Sequence, residues 1–262
     1  MNNEQNWQTY RSTLNDQVAV FSANLSLFEQ FPNVKLTHVV QFSLPYDCDD
    51  NTGLPNEEEY HTLIQQTFKA LTQLSALPDT LYAGNIMSGG KSKLYFYTHD
   101  TEAFLAVLNQ IDKVGDVEIQ QDADWDLYFD FLLPSPLEMK INATEEILEM
   151  LTQNNRSLSD TYTVEHRFHF DDQDNLQAFI EKMRLSDVPF NQIKYTDELV
   201  QVNDEEMMYM AKLSQEIKLD SQDIFKFVEY FEQLANQLSG EYIGWECDDL
   251  FTDKQLNVED QT

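Results

Sequence analysis

Between Thr161 and Cys247 the hydrophobic pattern switches repeatedly between a period of two and a period near 3.6. The order of those switches limits the fold more than any single motif. Residues 161–170 alternate cleanly. Tyr162, Val164, His166, Phe168 and Phe170 share one face, and Thr163, Glu165, Arg167 and His169 the other. Asp171 and Asp172 then cap a helix with Leu176, Phe179, Ile180 and Met183 inside. Residues 190–202 read as a strand with an irregular middle, followed by a turn over 203–206. Met207, Tyr209, Ala211, Leu213, Ile217 and Leu219 form one face of a long strand. Asp220 is the expected cap of a second helix, whose stripe runs Ile224, Phe227, Val228, Phe231, Leu234 and Leu238, with Gly240 just past its end. The last strand, 240–247, is expected to place Tyr242, Gly244 and Glu246 on one side and Ile243, Trp245 and Cys247 on the other. Strand, helix, strand, strand, helix, strand is the split βαβ order of a ferredoxin-like domain: a four-stranded antiparallel sheet under two helices. In it the last strand lies beside the first and forms a sheet edge open to a partner.

The first half has no such regular order. Residues 17–21 and 36–44 read as strands rich in β-branched and aromatic residues. A helix from about Asn56 carries the stripe Tyr60, Leu63, Ile64, Phe68, Leu71 and Leu74, with Glu57, Glu58 and Glu59 at the positive end of its dipole. Residues 81–87 and 93–98 form a hairpin turned by Ser88, Gly89, Gly90 and Lys91. Asp100 and Thr101 open a second helix with Phe104, Leu105, Leu108 and Ile111 inside. Residues 117–120 and 125–133 are read as closing strands before the break at Pro134 and Pro136. This is a mixed or antiparallel sheet with two helices, and the whole chain is α+β. The expected organisation is an α+β domain over 1–136, a linking helix over 137–157, the ferredoxin-like domain over 158–250 and an acidic tail over 251–262. With 42% apolar residues in a chain of 262, two cores can be built and low-hydrophobicity disorder is excluded for most of it.

Charge narrows the partners. The net charge is −31, from 47 acidic and 16 basic residues, and the sequence on either side of Pro136 is acidic. Phosphate recognition needs Lys and Arg, so direct nucleic-acid binding is disfavoured, and so is an anionic membrane surface. The attracted class is a protein with a basic surface; the competing reading is that the charge only confers solubility. Two cysteines far apart, Cys48 and Cys247, fit a reduced cytoplasmic protein rather than a disulfide framework. The first residues carry no signal-peptide pattern, and no apolar run reaches the length of a membrane span.

Catalytic and metal motifs are weak. Nucleotide-binding glycine fingerprints are absent. Asp47, Asp49, Asn51 and Glu58 fall at calcium-loop spacing, but Thr52 stands where the loop needs glycine and Gly53 comes one residue late. A solvated acidic loop, including Asp50, is the favoured reading. Asp122, Asp124 and Asp126 are expected on one strand face opposite Trp125, Leu127, Phe129 and Phe131; a polar outer face is favoured over a carboxylate site. His166 reads as a packed core histidine. His169 points the other way, so the two cannot share a metal. The expectation is of no catalytic set, no cofactor and no metal.

Two resemblances add to this. Trp7, the turn Asn51 to Pro55 before a helix, Tyr82 to Gly84, Tyr95 to Tyr97 and Asp124 to Phe129 together resemble a bacterial domain family of unknown function, over about 1–136. Tyr162 to His166, the helix after Asp171 and the ending Gly240 to Glu246 are similar to the bacterial regulator of ribonuclease E activity, B type, over about 158–250. That resemblance implies a ferredoxin-like fold and a non-enzymatic inhibitor that binds ribonuclease E directly. The long acidic tail of that family is much shorter here. The resulting expectation is an acidic, non-enzymatic interaction or regulatory protein with a basic protein partner, such as ribonuclease E. Its partner contacts are expected at Glu165, His169, Tyr242, Gly244 and Trp245. The alternative is a small-molecule-binding protein or a hydrolase built on Asp47, Asp49, Asp50, Asp122, Asp124 and Asp126. The sequence does not fix the oligomeric state.

Overall fold

A computed structural model of the chain describes residues 6–203 and 206–247. The expected tail over 251–262 and part of the turn over 203–206 lie outside the described residues. The chain divides into two compact units, Met1–Glu138 and Met139–Thr262.

In the first unit β1 (Trp7–Leu14), β2 (Gln17–Asn24), β3 (His38–Pro45), β4 (Thr80–Ser88), β5 (Lys91–Thr98) and β6 (Gly115–Gln121) make one sheet in the order β1-β2-β4-β5-β3-β6. Every pairing in it is antiparallel. Helices α1 (Glu57–Leu74) and α2 (Thr101–Leu108) cover one face. There Leu63, Leu74, Phe104 and Leu108 pack on Val40, Phe42, Leu94 and Phe96. A 3-10 turn (Leu25–Gln30) and a π-helical segment (Leu127–Leu132) cover the other, where Leu27, Trp125, Tyr128 and Leu132 pack on Phe21, Val39, Tyr95 and Tyr97. Both faces are buried, which explains why β3 and β5 read as nearly continuous apolar runs rather than alternating ones.

The helix starts hold as read: Asn56 Oδ1 accepts from the Glu59 N–H and Asp100 Oδ1 from the Ala103 N–H. The β4–β5 turn also holds, with Gly89 and Gly90 both at positive φ. Two readings are corrected. The closing strand expected over 125–133 is instead the π-helical segment. Trp125 takes a positive φ of 58°, and Asp122 accepts the N–H groups of Asp126 and Leu127, which turns the chain. The buried residues there are Trp125, Tyr128 and Leu132, at helical spacing; the acid–apolar alternation only imitated a strand. On α1 the inner face is Leu63, Ala70 and Leu74, while Tyr60, Ile64 and Phe68 are exposed.

The second unit holds α3 (Pro136–Gln153), whose first residues precede the boundary. It continues with β7 (Thr161–Phe170), α4 (Gln173–Arg184), β8 (Gln192–Tyr195), β9 (Val200–Gln201), β10 (Met207–Lys218), α5 (Asp223–Gln237) and β11 (Gly240–Cys247). The sheet order is β11-β7-β10-β8, with β9 paired to β10. It is antiparallel throughout, the ferredoxin-like arrangement. Leu176, Phe179, Ile180 and Met183 of α4 are buried as read, as are Ile224, Val228, Phe231 and Leu234 of α5. The start of α5 differs: Gln222 stands at the cap position without a side-chain bond, and Ser221 Oγ donates to Asp223 instead. Its end differs too. Ser239 takes the left-handed residue (φ 50°), and Gly240 is already in β11, where a Cβ would lie 2.3 Å from the Phe170 ring.

The alternation expected in β11 is also overturned. A bulge between Tyr242 and Gly244 inserts one residue against β7. Tyr242 therefore shares the buried side with Trp245 and Cys247, and Ile243 is exposed. Gly244 supplies the positive φ, 134°, that the bulge needs.

Candidate functional site

The face of the second sheet opposite the buried side chains of β7 carries the polar residues of the alternating strand. Glu165 and Arg167 of β7 lie opposite Ser214 and Lys212 of β10, and opposite Glu246 and Gly244 of β11. Glu165 Oε1 accepts from Lys212 Nζ at 2.8 Å and from Arg167 Nε at 3.1 Å, and the Arg167 guanidinium also pairs with Glu246. Burial pushes the Glu165 carboxyl up, but Lys212 and Arg167 outweigh it and hold it below the ordinary carboxylate range. His169 sits further along β7 against Glu241 and Met210. Burial, ahead of the neighbouring charges, keeps its imidazole below its ordinary value. The structure thus brings Glu165, His169 and Gly244 onto one half-exposed face, together with Arg167, Lys212 and Glu246.

It does not bring Tyr242 and Trp245 there. Tyr242 is fully buried and Trp245 is 8% exposed, so the reading of them as surface contacts is corrected. The bulge turned both inward. Trp245 Nε1 donates to Thr144 Oγ1 of α3 at 2.9 Å, and Lys140 of α3 pairs with the buried Glu232 of α5 at 2.9 Å. Tyr242 meets the buried His166, whose Nδ1 lies 2.9 Å from the Tyr242 hydroxyl and whose Nε2 lies 3.0 Å from Gln215 Nε2. With both nitrogens bonded and Phe231 edge-on at 4.7 Å, His166 is a core histidine, and burial pulls its pKa down to about 3.

Gln215, absent from the face read for β10, is the residue the sequence reading missed. A glutamine at an inward position between Leu213 and Ile217 was the available signal. It also forms part of a cleft of about 740 Å3 beside α5, walled by Val188, Pro189, Ile217, Phe227 and Tyr230.

The acidic residues of the first unit do not converge. Asp49 folds its own loop, Oδ1 accepting the N–H groups of Asn51 and Thr52, which hold its carboxyl below the ordinary range. Asp47, Asp50, Asp124 and Asp126 are exposed. Asp122 is buried and fully used: Oδ2 accepts from the Tyr97 hydroxyl at 2.5 Å and from Leu127 N–H, and Oδ1 accepts from Asp126 N–H. The expectation that Asp122, Asp124 and Asp126 share a strand face is corrected with the strand itself. Among the described residues no group of three or more metal-ligand side chains forms, and no helix is long and apolar enough to cross a membrane.

Matches to two protein families bear out both resemblances. Residues 5–133 match the family described as a family of unknown function (DUF695), and residues 141–247 match the family described as regulator of ribonuclease activity B. No curated protein matches the chain. Among solved structures, the crystal structure of an unknown protein from Galdieria sulphuraria aligns with 9% identity over 81% of this chain and 98% of that one, at a TM-score of 0.24.

Proposed function

We propose that this chain is a non-enzymatic regulatory protein that binds a ribonuclease of the E type through its second unit and modulates RNA cleavage in the cytoplasm. The observation that carries the reading is the match of residues 141–247 to the regulator family. Two features support it. The net charge of −31 attracts a basic protein surface and repels RNA itself, so control acts on the nuclease rather than on its substrate. The face bearing Glu165, His169 and Gly244 is accessible and polar, as the rim of a protein contact is.

The test is a pull-down of ribonuclease E by the full chain, followed by an RNA cleavage assay with and without the chain. Binding with altered cleavage is expected. Glu165→Gln and His169→Ala should weaken binding by about tenfold, with Glu165→Gln losing no more than about 1 kcal/mol of stability from its pairs with Lys212 and Arg167, whereas Trp245→Ala should act through stability, by about 3 kcal/mol. A chain that captures no nuclease and leaves cleavage unchanged would sink the proposal.

A further inference from the structure

The cleft beside α5 has the composition of a ligand site. Its walls are mostly apolar, and Tyr230, one of the lining residues, is 40% exposed. Its volume lies in the range of pockets that hold small organic molecules. Its floor carries a polar group that the fold leaves half used. Gln215 is 1% exposed, and its Nε2 faces His166 Nε2 at 3.0 Å. If Gln215 donates there, His166 carries its proton on Nδ1 and donates to the Tyr242 oxygen, 2.9 Å away. Gln215 Oε1 then has no hydrogen-bond partner among the described residues. That oxygen is not one of the wholly buried unpaired atoms; Gln215 lines the cleft, where a ligand donor would meet it.

The rim sets the charge of the occupant. Glu216, Asp220 and Asp223 line it against Lys218 and Lys226, and Lys226 is already tied to Asp223 at 2.8 Å. The balance is acidic, which disfavours an anion. We propose that this cleft binds an uncharged small molecule with an aromatic or branched apolar body and one hydrogen-bond donor, directed at Gln215 Oε1. The Gln215–His166–Tyr242 chain links its floor on β10 through β7 to β11, so occupancy is felt at the sheet edge. The inference does not rest on ribonuclease binding, and a chain that fails one test can pass the other.

The probe is N-phenyl-1-naphthylamine, which is neutral, aromatic and carries one N–H donor. Titrated into the full chain, it should show saturable fluorescence enhancement and shift the His166 imidazole nitrogen resonances. Gln215→Leu should weaken it about tenfold, the loss of one buried hydrogen bond. Val188→Trp, which fills the cleft mouth, should abolish binding. Tyr230→Ser, at an exposed position, guards against misfolding as the cause and should also weaken binding. The anionic analogue with a naphthalene sulfonate should bind less well. Binding that survives Val188→Trp and Tyr230→Ser but is lost with Phe68→Ser on α1 would place the probe on an exposed apolar stripe elsewhere and overturn the proposal. Absence of saturable binding would overturn it as well, leaving the cleft to a protein side chain.

Discussion

At the scale of single residues, His166 shows how a polar group is accommodated in an apolar layer. Tyr242 and Gln215 satisfy its two nitrogens, and Phe227 and Phe231 pack on its ring. The neutral form is therefore held, with a pKa pulled from 6.5 down to about 3 by burial. In the unfolded chain the imidazole protonates as pH falls below its ordinary value, while the folded one stays neutral. Its contribution is thus complete above about pH 6.5 and is lost as pH falls towards 3, in total on the order of 5 kcal/mol. Urea unfolding at a series of pH values should show a shallower acid slope for His166→Gln than for the parent chain. Equal slopes would mean that the carboxylates alone set acid stability.

At the scale of elements, legibility followed how local the determining contacts are. The strand over 161–170, the inner face of α4 and the caps Asn56 and Asp100 were readable because each depends on neighbours within a few residues. The hairpin of β1 and β2 was missed. Its turn is Asn15-Asp16, both at positive φ, a weaker sign than a glycine pair. The π-helical segment was missed because its capping acid, Asp122, is itself set by the distant Tyr97 hydroxyl. The site was half legible: Glu165 and His169 lie on the expected face, but one inserted residue in β11 buried Tyr242 and Trp245. The cleft needed α5 and β10 brought together and left no sequence pattern. α3 was only partly visible: its buried Leu151 is apolar, but its other anchors are a threonine and a lysine. Lys140 and Glu232 have side chains only 14% and 8% exposed, so their pairing is a buried one. Lys140→Met should cost about 3 kcal/mol by leaving Glu232 uncompensated, and adding Glu232→Leu should recover most of it. Denaturation of the two single variants and the double variant measures this coupling. A cost under about 0.5 kcal/mol for Lys140→Met would show that water screens the pair as it does at a surface.

At the scale of the whole molecule, charge acts on stability and on recognition with opposite signs. Sixteen basic residues cannot neutralise 47 acidic ones, so most carboxylates have no ion-pair partner and repel one another in the compact state. Screening relieves that repulsion: the Debye length falls from about 30 Å at 0.01 M salt to about 8 Å at 0.15 M. The urea midpoint should therefore rise with sodium chloride over this range at pH 7. Attraction to a basic partner is screened by the same ions, so affinity for it should fall over the same range, mainly through a slower association rate. The local pairs argue the other way for stability, since Glu165 with Lys212 and Lys91 with Asp116 are weakened by salt. They are few and partly exposed, and each contributes about 1 kcal/mol or less. A midpoint that falls with salt would show that these pairs outweigh the net repulsion. An affinity that holds steady with salt would show that the partner is recognised by apolar contact, and the acidity would then serve solubility alone.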